Sequence, residues 1–151
     1  MEVRAVNHIA IICTDYVLAK EFYVHKLGME VVAETERVDR NDVKLDLKYG
    51  DLMFEIFIKP DAPQRVSYPE AAGLRHISFA TDNIEKDVDY LRSVGIKVED
   101  IRRDELNQQK MTFFFDPDGL PLELHEWYQG RVTIINFIVT FFVWKRIFTH
   151  V

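Results

Sequence analysis

Hydrophobic and polar positions along the chain switch between a two-residue period and a helical one, and the same order of segments occurs twice. VNHIAIICTD reads as an apolar strand ending at Asp15, and VLAKEFYVHKLG places Leu18, Phe22 and Leu27 near helical spacing with Gly28 as a stop. MEVVAETERV, DVKLDLKYG and LMFEIFIK follow as three strands joined by turns at 39–42 and at Gly50-Asp51. The second round opens with GLRHISFATD, again a strand ending in Asp. NIEKDVDYLRSVG then sets Ile84, Val88 and Leu91 on one helical stripe and closes at Gly95. IKVEDIRR, KMTFFFDPDG and LPLELHEWY supply three more strands. The pattern predicts an α+β fold of two βαβββ modules, at about 4–59 and 73–128. A linker at 60–72 separates them, whose Pro60, Pro63 and Pro69 are unsuited to a central sheet ladder.

The repeat is also numerical. His8 and His76 stand 68 positions apart, as do Glu55 and Glu123, so each half separates its His from its Glu by 47. Strand side chains alternate between faces. His8 therefore shares a face with Ala10 and Ile12, and Glu55 with Met53 and Phe57. In the second half His76 goes with Ser78 and Ala80, and Glu123 with His125. A carboxylate in an apolar strand needs a partner. Two structural His–Glu pairs would meet that need. If the four faces converge, two imidazoles and two carboxylates instead make a donor set for a divalent transition metal. Cys13 points to the opposite face and is expected to be a small buried hydrophobe. His25 and His150 are expected on the surface. His125 is a candidate pocket residue, and Met53, Phe57 and Phe113 suit either a pocket wall or the core.

Composition narrows the function classes. With 19 Lys+Arg against 25 Asp+Glu, the net charge of −6 disfavours nucleic acid as a partner. A single cysteine excludes an internal disulfide, and no secretory leader pattern opens the chain, so the expected compartment is the cytoplasm. The domain is placed at 1–130. Beyond it, 131–151 contains VTIINFIVTFFVW, which is too short to span a bilayer as a helix and rich in β-branched and aromatic residues. An arm packing on a neighbour, a membrane-surface anchor and read-through sequence unrelated to the fold are its three readings.

NHIAIICTD, FYVHKLGMEVV, LMFEIF, LRHISFATD and above all the DPDG run in FFFDPDGLPLELHE resemble the vicinal oxygen chelate superfamily, which includes glyoxalase I, over about residues 4–128. The resemblance implies paired βαβββ modules whose sheets curl around a metal, pairing within one chain or across a homodimer. It places ligands at His8, Glu55, His76 and Glu123, a set similar to that of bacterial glyoxalase I. It implies one divalent metal ion per site, with nickel or cobalt favoured over zinc. The implied activity is that of a lactoylglutathione lyase-like enzyme acting on the adduct of an α-oxoaldehyde and a thiol. Proton abstraction by Glu123, with Glu55 as ligand or second base, would lead to a metal-stabilised enediolate. Ile12 and Lys59 stand where that branch carries an Arg and an Asn for glutathione, which leaves the thiol open. Lys59, Arg102, Arg103 and Lys110 could hold another anionic tail, though solvent-exposed charge is the simpler role. A methylmalonyl-CoA epimerase-like enzyme and a non-catalytic small-molecule binder or resistance protein are the alternatives.

Overall fold

A computed structural model describes residues 1–67 and 69–127; the apolar segment 131–151 lies outside the described residues. In the first module β1 (His8–Cys13) leads into α1 (Tyr16–Lys20), which runs on as a π-helical turn over Glu21–Lys26. β2 (Glu30–Arg37), β3 (Asp42–Tyr49) and β4 (Leu52–Ile58) follow. The second module repeats the order with β5 (Ile77–Thr81), α2 (Ile84–Ser93), β6 (Arg102–Arg103), β7 (Lys110–Phe115) and β8 (Pro121–Glu126). The sheets have orders β1-β4-β3-β2 and β5-β8-β7-β6. In each, the first and last strands of the module run parallel and the other pairs antiparallel. A parallel pair needs a long crossover, and each module supplies one through its helix. The expected α+β fold of two βαβββ modules is therefore present, as two mixed sheets of the same topology.

The core lies between these sheets and helices. Ile11, Cys13, Leu45, Leu47, Phe54 and Ile56 come from the first sheet, and Phe114, Leu122 and Leu124 from the second. Ile84, Val88 and Leu91 form the buried stripe of α2, as their spacing predicts, at 0%, 1% and 4% exposure. The helix stops where Gly95 takes φ +79°, a left-handed conformation that costs glycine little. Phe22 of the first helix packs on Phe114 of the second sheet, with ring centroids 6.3 Å apart. The two modules thus share one core.

Three local expectations are corrected. Leu18 is exposed rather than on the buried stripe, which is formed by Ala19, Phe22 and Tyr23. Ala19, Phe22 and Tyr23 keep the regular i, i+3, i+4 spacing, so the buried face is set by Ala19 rather than by its neighbour Leu18, and the π-helical turn begins only after it, at Glu21. Secondly, the matched strand-ending Asp residues are not equivalent. Asp15 caps α1 by accepting from Leu18 N, but in the second module Asn83 caps α2, accepting from Lys86 N. Thirdly, IKVEDIRR contributes only Arg102–Arg103 to a strand, with an isolated bridge from Val98 to Phe114. Thr112 Oγ1 donates to Glu99 O, so a side chain takes a carbonyl that a regular edge would have bonded through the backbone.

Candidate metal centre

The strand registers bring each histidine to its glutamate. Ala10 pairs with Glu55 across β1 and β4, and Ser78 with Glu123 across β5 and β8. Each histidine sits two residues before that pairing position, on the same face, so the imidazole leans toward the carboxylate. His8 Nε2 lies 3.6 Å from Glu55 Oε2, and His76 Nε2 lies 3.3 Å from Glu123 Oε2. His8 Nδ1–H donates to Asn7 Oδ1 at 2.9 Å. In the neutral ring this turns the bare Nε2 lone pair toward the carboxylate, the orientation a metal-binding histidine needs. Two acceptor atoms then face each other, an arrangement that a cation relieves.

The two pairs differ in burial. The Glu55 side chain is 22% exposed and Glu123 only 8%. Phe113 stands opposite Glu123 in the register and meets the His76 ring edge-on, with centroids 5.3 Å apart. His76 is the basic side chain within ion-pair distance of Glu123 among the described residues. Burying a carboxylate with so little compensation is costly. Asp42, at 1% side-chain exposure, shows the usual alternative: Arg37 holds both of its oxygens at 2.6 Å, and Lys59 donates at 2.9 Å.

One chain makes the pairs without uniting them. Among the described residues, no three of His8, Glu55, His76 and Glu123 place ligand atoms within 4.8 Å of one another. Cys13, Asp116 and Asp118 do meet that distance, but each of the four carboxylate oxygens already accepts a hydrogen bond from the protein. Asp116 accepts from Tyr23 Oη at 2.7 Å, Leu120 N at 2.7 Å and Asp118 N at 3.0 Å. Asp118 accepts from Thr14 N at 3.0 Å and from Thr14 Oγ1. Burial, and then the two carboxylates, push the Cys13 thiol far above its ordinary value, so it stays protonated and is a poor metal ligand. The cluster ties the DPDG turn of the second module to the end of β1. Cys13 is buried and faces away from His8, as expected of it, while serving also as a polar member of this knot.

The other residues singled out by sequence take definite places. Met53, Phe57 and Phe113 are half-buried on the sheet faces that carry the His–Glu pairs, outside the hydrophobic core. His125 shares the Glu123 face. Its Nδ1–H donates to Glu126 O at 2.9 Å, and Asn107 Nδ2 approaches its Nε2 at 3.4 Å. Lys59 is paired with Asp42, Lys110 with Glu85, and Arg102 with Glu99 while lying over the Phe113 ring. A cleft of about 820 Å³ runs from Ala10 and Ile12 on the His8 face of β1 to Pro63, Leu74 and Asp118, and none of the four candidate ligands lines it. Sequence reasoning missed Lys44 and Asp46. Lys44 Nζ lies 2.7 Å from Glu55 Oε1 and 2.8 Å from Asp46 Oδ1. The signal was present, because a two-residue turn at Gly50-Asp51 sets Asp46 opposite Glu55 and Lys44 opposite Phe57.

Residues 5–124 match the family model described as Glyoxalase/Bleomycin resistance protein/Dioxygenase superfamily. The chain belongs to this superfamily. Its relatives include the protein named "Uncharacterized protein YwkD" of Bacillus subtilis (strain 168), 51% identical over 127 residues, covering 83% of this chain and 99% of that one. A crystal structure of a glyoxalase family protein from Enterococcus faecalis superposes with a TM-score of 0.80 at 52% identity, over 82% of this chain and 98% of the other. A lactoylglutathione lyase from Agrobacterium tumefaciens gives a TM-score of 0.63 at 22% identity, over 83% and 95% of the two chains. That last likeness is one of fold. The superfamily includes glyoxalase I lyases and typically holds a divalent metal ion and a small-molecule substrate.

Proposed function

We propose that this superfamily member is a metal-dependent lyase or isomerase of the glyoxalase I type, acting on the adduct of an α-oxoaldehyde and a thiol. The observation that carries the reading is Glu123. It is a nearly buried carboxylate facing an imidazole and the Phe113 ring, with its counterpart Glu55 at the same place in the other sheet. His8, Glu55, His76 and Glu123 would hold the metal, two nitrogens and two oxygens being a donor set suited to nickel, cobalt or zinc. When bound, such an ion supplies Lewis-acid stabilisation of negative charge on adjacent substrate oxygens. Glu123 takes the carbon-bound proton and returns it to the neighbouring carbon, since its apolar surroundings suit a base better than a permanent ion-pair partner. Phe113 and Met111 keep water from its flank, being half-buried and buried respectively. Ile12, apolar and 54% exposed, and Lys59, held by Asp42, offer little of the grip on glutathione expected from the family pattern. The thiol partner need not be glutathione.

Since one chain leaves the two pairs apart, the four ligands come together when the first sheet of one copy faces the second sheet of another. The test uses protein purified without affinity-tag nickel, loaded with nickel, cobalt or zinc and assayed on hemithioacetals of methylglyoxal with glutathione and with other thiols. Acyl-thioester racemisation is followed in parallel. His8→Ala and His76→Ala chains, each inactive alone, are then mixed. Recovery of activity toward a quarter of wild type is expected, because half of a random mixture is mixed dimers and each of these holds one intact site. Metal with turnover but no recovery on mixing would place the site within one chain. Metal binding with racemisation alone would move the activity to an epimerase. Absence of bound metal would overturn the reading.

A further inference from the structure

Glu55 and Glu123 occupy matching places in the repeat but not matching surroundings. Across the β3–β4 ladder Asp46 stands opposite Glu55, whereas across β7–β8 Phe113 stands opposite Glu123. Two pairings further on, and so on the same face, Lys44 stands opposite Phe57 and Met111 opposite His125, so Met111 holds the place in the second sheet that Lys44 holds in the first. The Lys44 ammonium lies 2.7 Å from Glu55 Oε1, 2.8 Å from Asp46 Oδ1 and 5.8 Å from the centre of the Phe57 ring. The other carboxylate oxygen of Glu55, Oε2, is the one that faces His8 Nε2. Like charges directly opposite on antiparallel strands repel. Lys44 is what lets Asp46 and Glu55 stand side by side.

We propose that Lys44 is a positioning residue of the metal centre, whose ammonium bridges Glu55 Oε1 and Asp46 Oδ1, so that Glu55 turns its one remaining oxygen to a metal while the charge of Asp46 is compensated. The inference rests on the reading of the His–Glu quartet as metal ligands. It divides the work of the two glutamates. Glu55, with one oxygen fixed by an ammonium, is the stationary ligand, and Glu123 is the carboxylate left to move a proton. It also sets the charge of the site, because Lys44, Asp46 and Glu55 together carry one net negative charge and would carry two without the lysine. Removing a simple brace from a ligand weakens metal binding, by about 10–100-fold. Removing this brace does the opposite, because it uncovers a second carboxylate beside a divalent cation.

The experiment measures Co²⁺ affinity of the metal-stripped full chain by competition with a chromogenic chelator. It uses wild type, Lys44→Met, Lys44→Arg, Asp46→Asn and the Lys44→Met/Asp46→Asn double variant. Lys44→Met is expected to bind Co²⁺ about tenfold more tightly and Asp46→Asn about tenfold more weakly. Lys44→Arg and the double variant, which keep the wild-type charge, should stay within about threefold of it. Unchanged or weakened binding in Lys44→Met overturns the proposal while leaving the metal centre in place. Should that variant fail to fold, unchanged affinity in Asp46→Asn overturns it equally. Failure of the wild-type chain to bind Co²⁺ removes the metal centre itself, and the role of Lys44 with it.

Discussion

Replacing Tyr23 by Phe removes one oxygen atom from the contact that joins the two modules. The Tyr23 side chain is 1% exposed and its hydroxyl donates to Asp116 Oδ2 at 2.7 Å, across 93 residues of sequence. The ring keeps its packing in Tyr23→Phe, including the edge-on contact with Phe22 at 5.0 Å, so the cost is that of the hydrogen bond. A buried bond to a charged acceptor contributes about 1.5–3 kcal/mol, and the carboxylate oxygen left behind is unsatisfied. We expect a loss near 2 kcal/mol, or roughly 6 °C in Tm for a domain of this size. The pH dependence adds a second signature. Burial, against the opposing effect of Tyr23 and the Leu120 amide, holds the Asp116 carboxyl above its ordinary value of 3.8. A carboxyl raised in the folded state binds its proton more tightly there than in the unfolded chain, so acidification through the folded pKa favours folding at this residue. Tyr23→Phe raises it further. The penalty should therefore be full at neutral pH and shrink as pH falls through the pKa of the buried carboxyl. Urea unfolding followed by far-UV circular dichroism at several pH values measures both. A loss below about 0.5 kcal/mol at neutral pH, or one that does not change on acidification, would refute the account of Asp116 as an ionised, buried acceptor.

Glu123→Gln keeps the shape of the buried side chain and removes its basicity, so the fold should persist while turnover falls by about 10²–10⁴-fold. Retained turnover with metal still bound would eliminate Glu123 as the base. At the edge of the first sheet, the Arg37 guanidinium and then Lys59 hold the Asp42 carboxyl down to about 2, against burial working the other way. A lowered folded-state pKa means that the stabilising contribution is complete above about pH 4 and is lost as pH falls through about 2. Asp42→Asn should therefore flatten the acid limb of the stability profile, and an unchanged limb would show that the ion pair is not what fails in acid.

The repeat was legible because strand geometry converts spacing into position. A period of two fixes which face a side chain occupies, and the same 68-residue offset then puts both His–Glu pairs at the same place in each sheet. Spacing along a strand says nothing of what lies across the ladder. Lys44 and Asp46 become visible only when the tight turn at Gly50-Asp51 is used to set the register of β3 on β4. The knot around Cys13 lies further from reach. Thr14, Tyr23, Asp116 and Asp118 meet through the docking of two modules, which no local period encodes. Hydrophobic periodicity also leaves the face of a short helix open by one position: Leu18 and Ala19 are neighbours, and the buried i, i+3, i+4 set is Ala19, Phe22 and Tyr23, which leaves Leu18 exposed. Tyr23 is the member of that set whose hydroxyl holds Asp116. The face that is buried thus brings Tyr23, one position past Phe22 of the stripe that the sequence suggests, onto the second module, and the docking of the two modules rests in part on a hydrogen bond that a reading of apolar positions alone does not register.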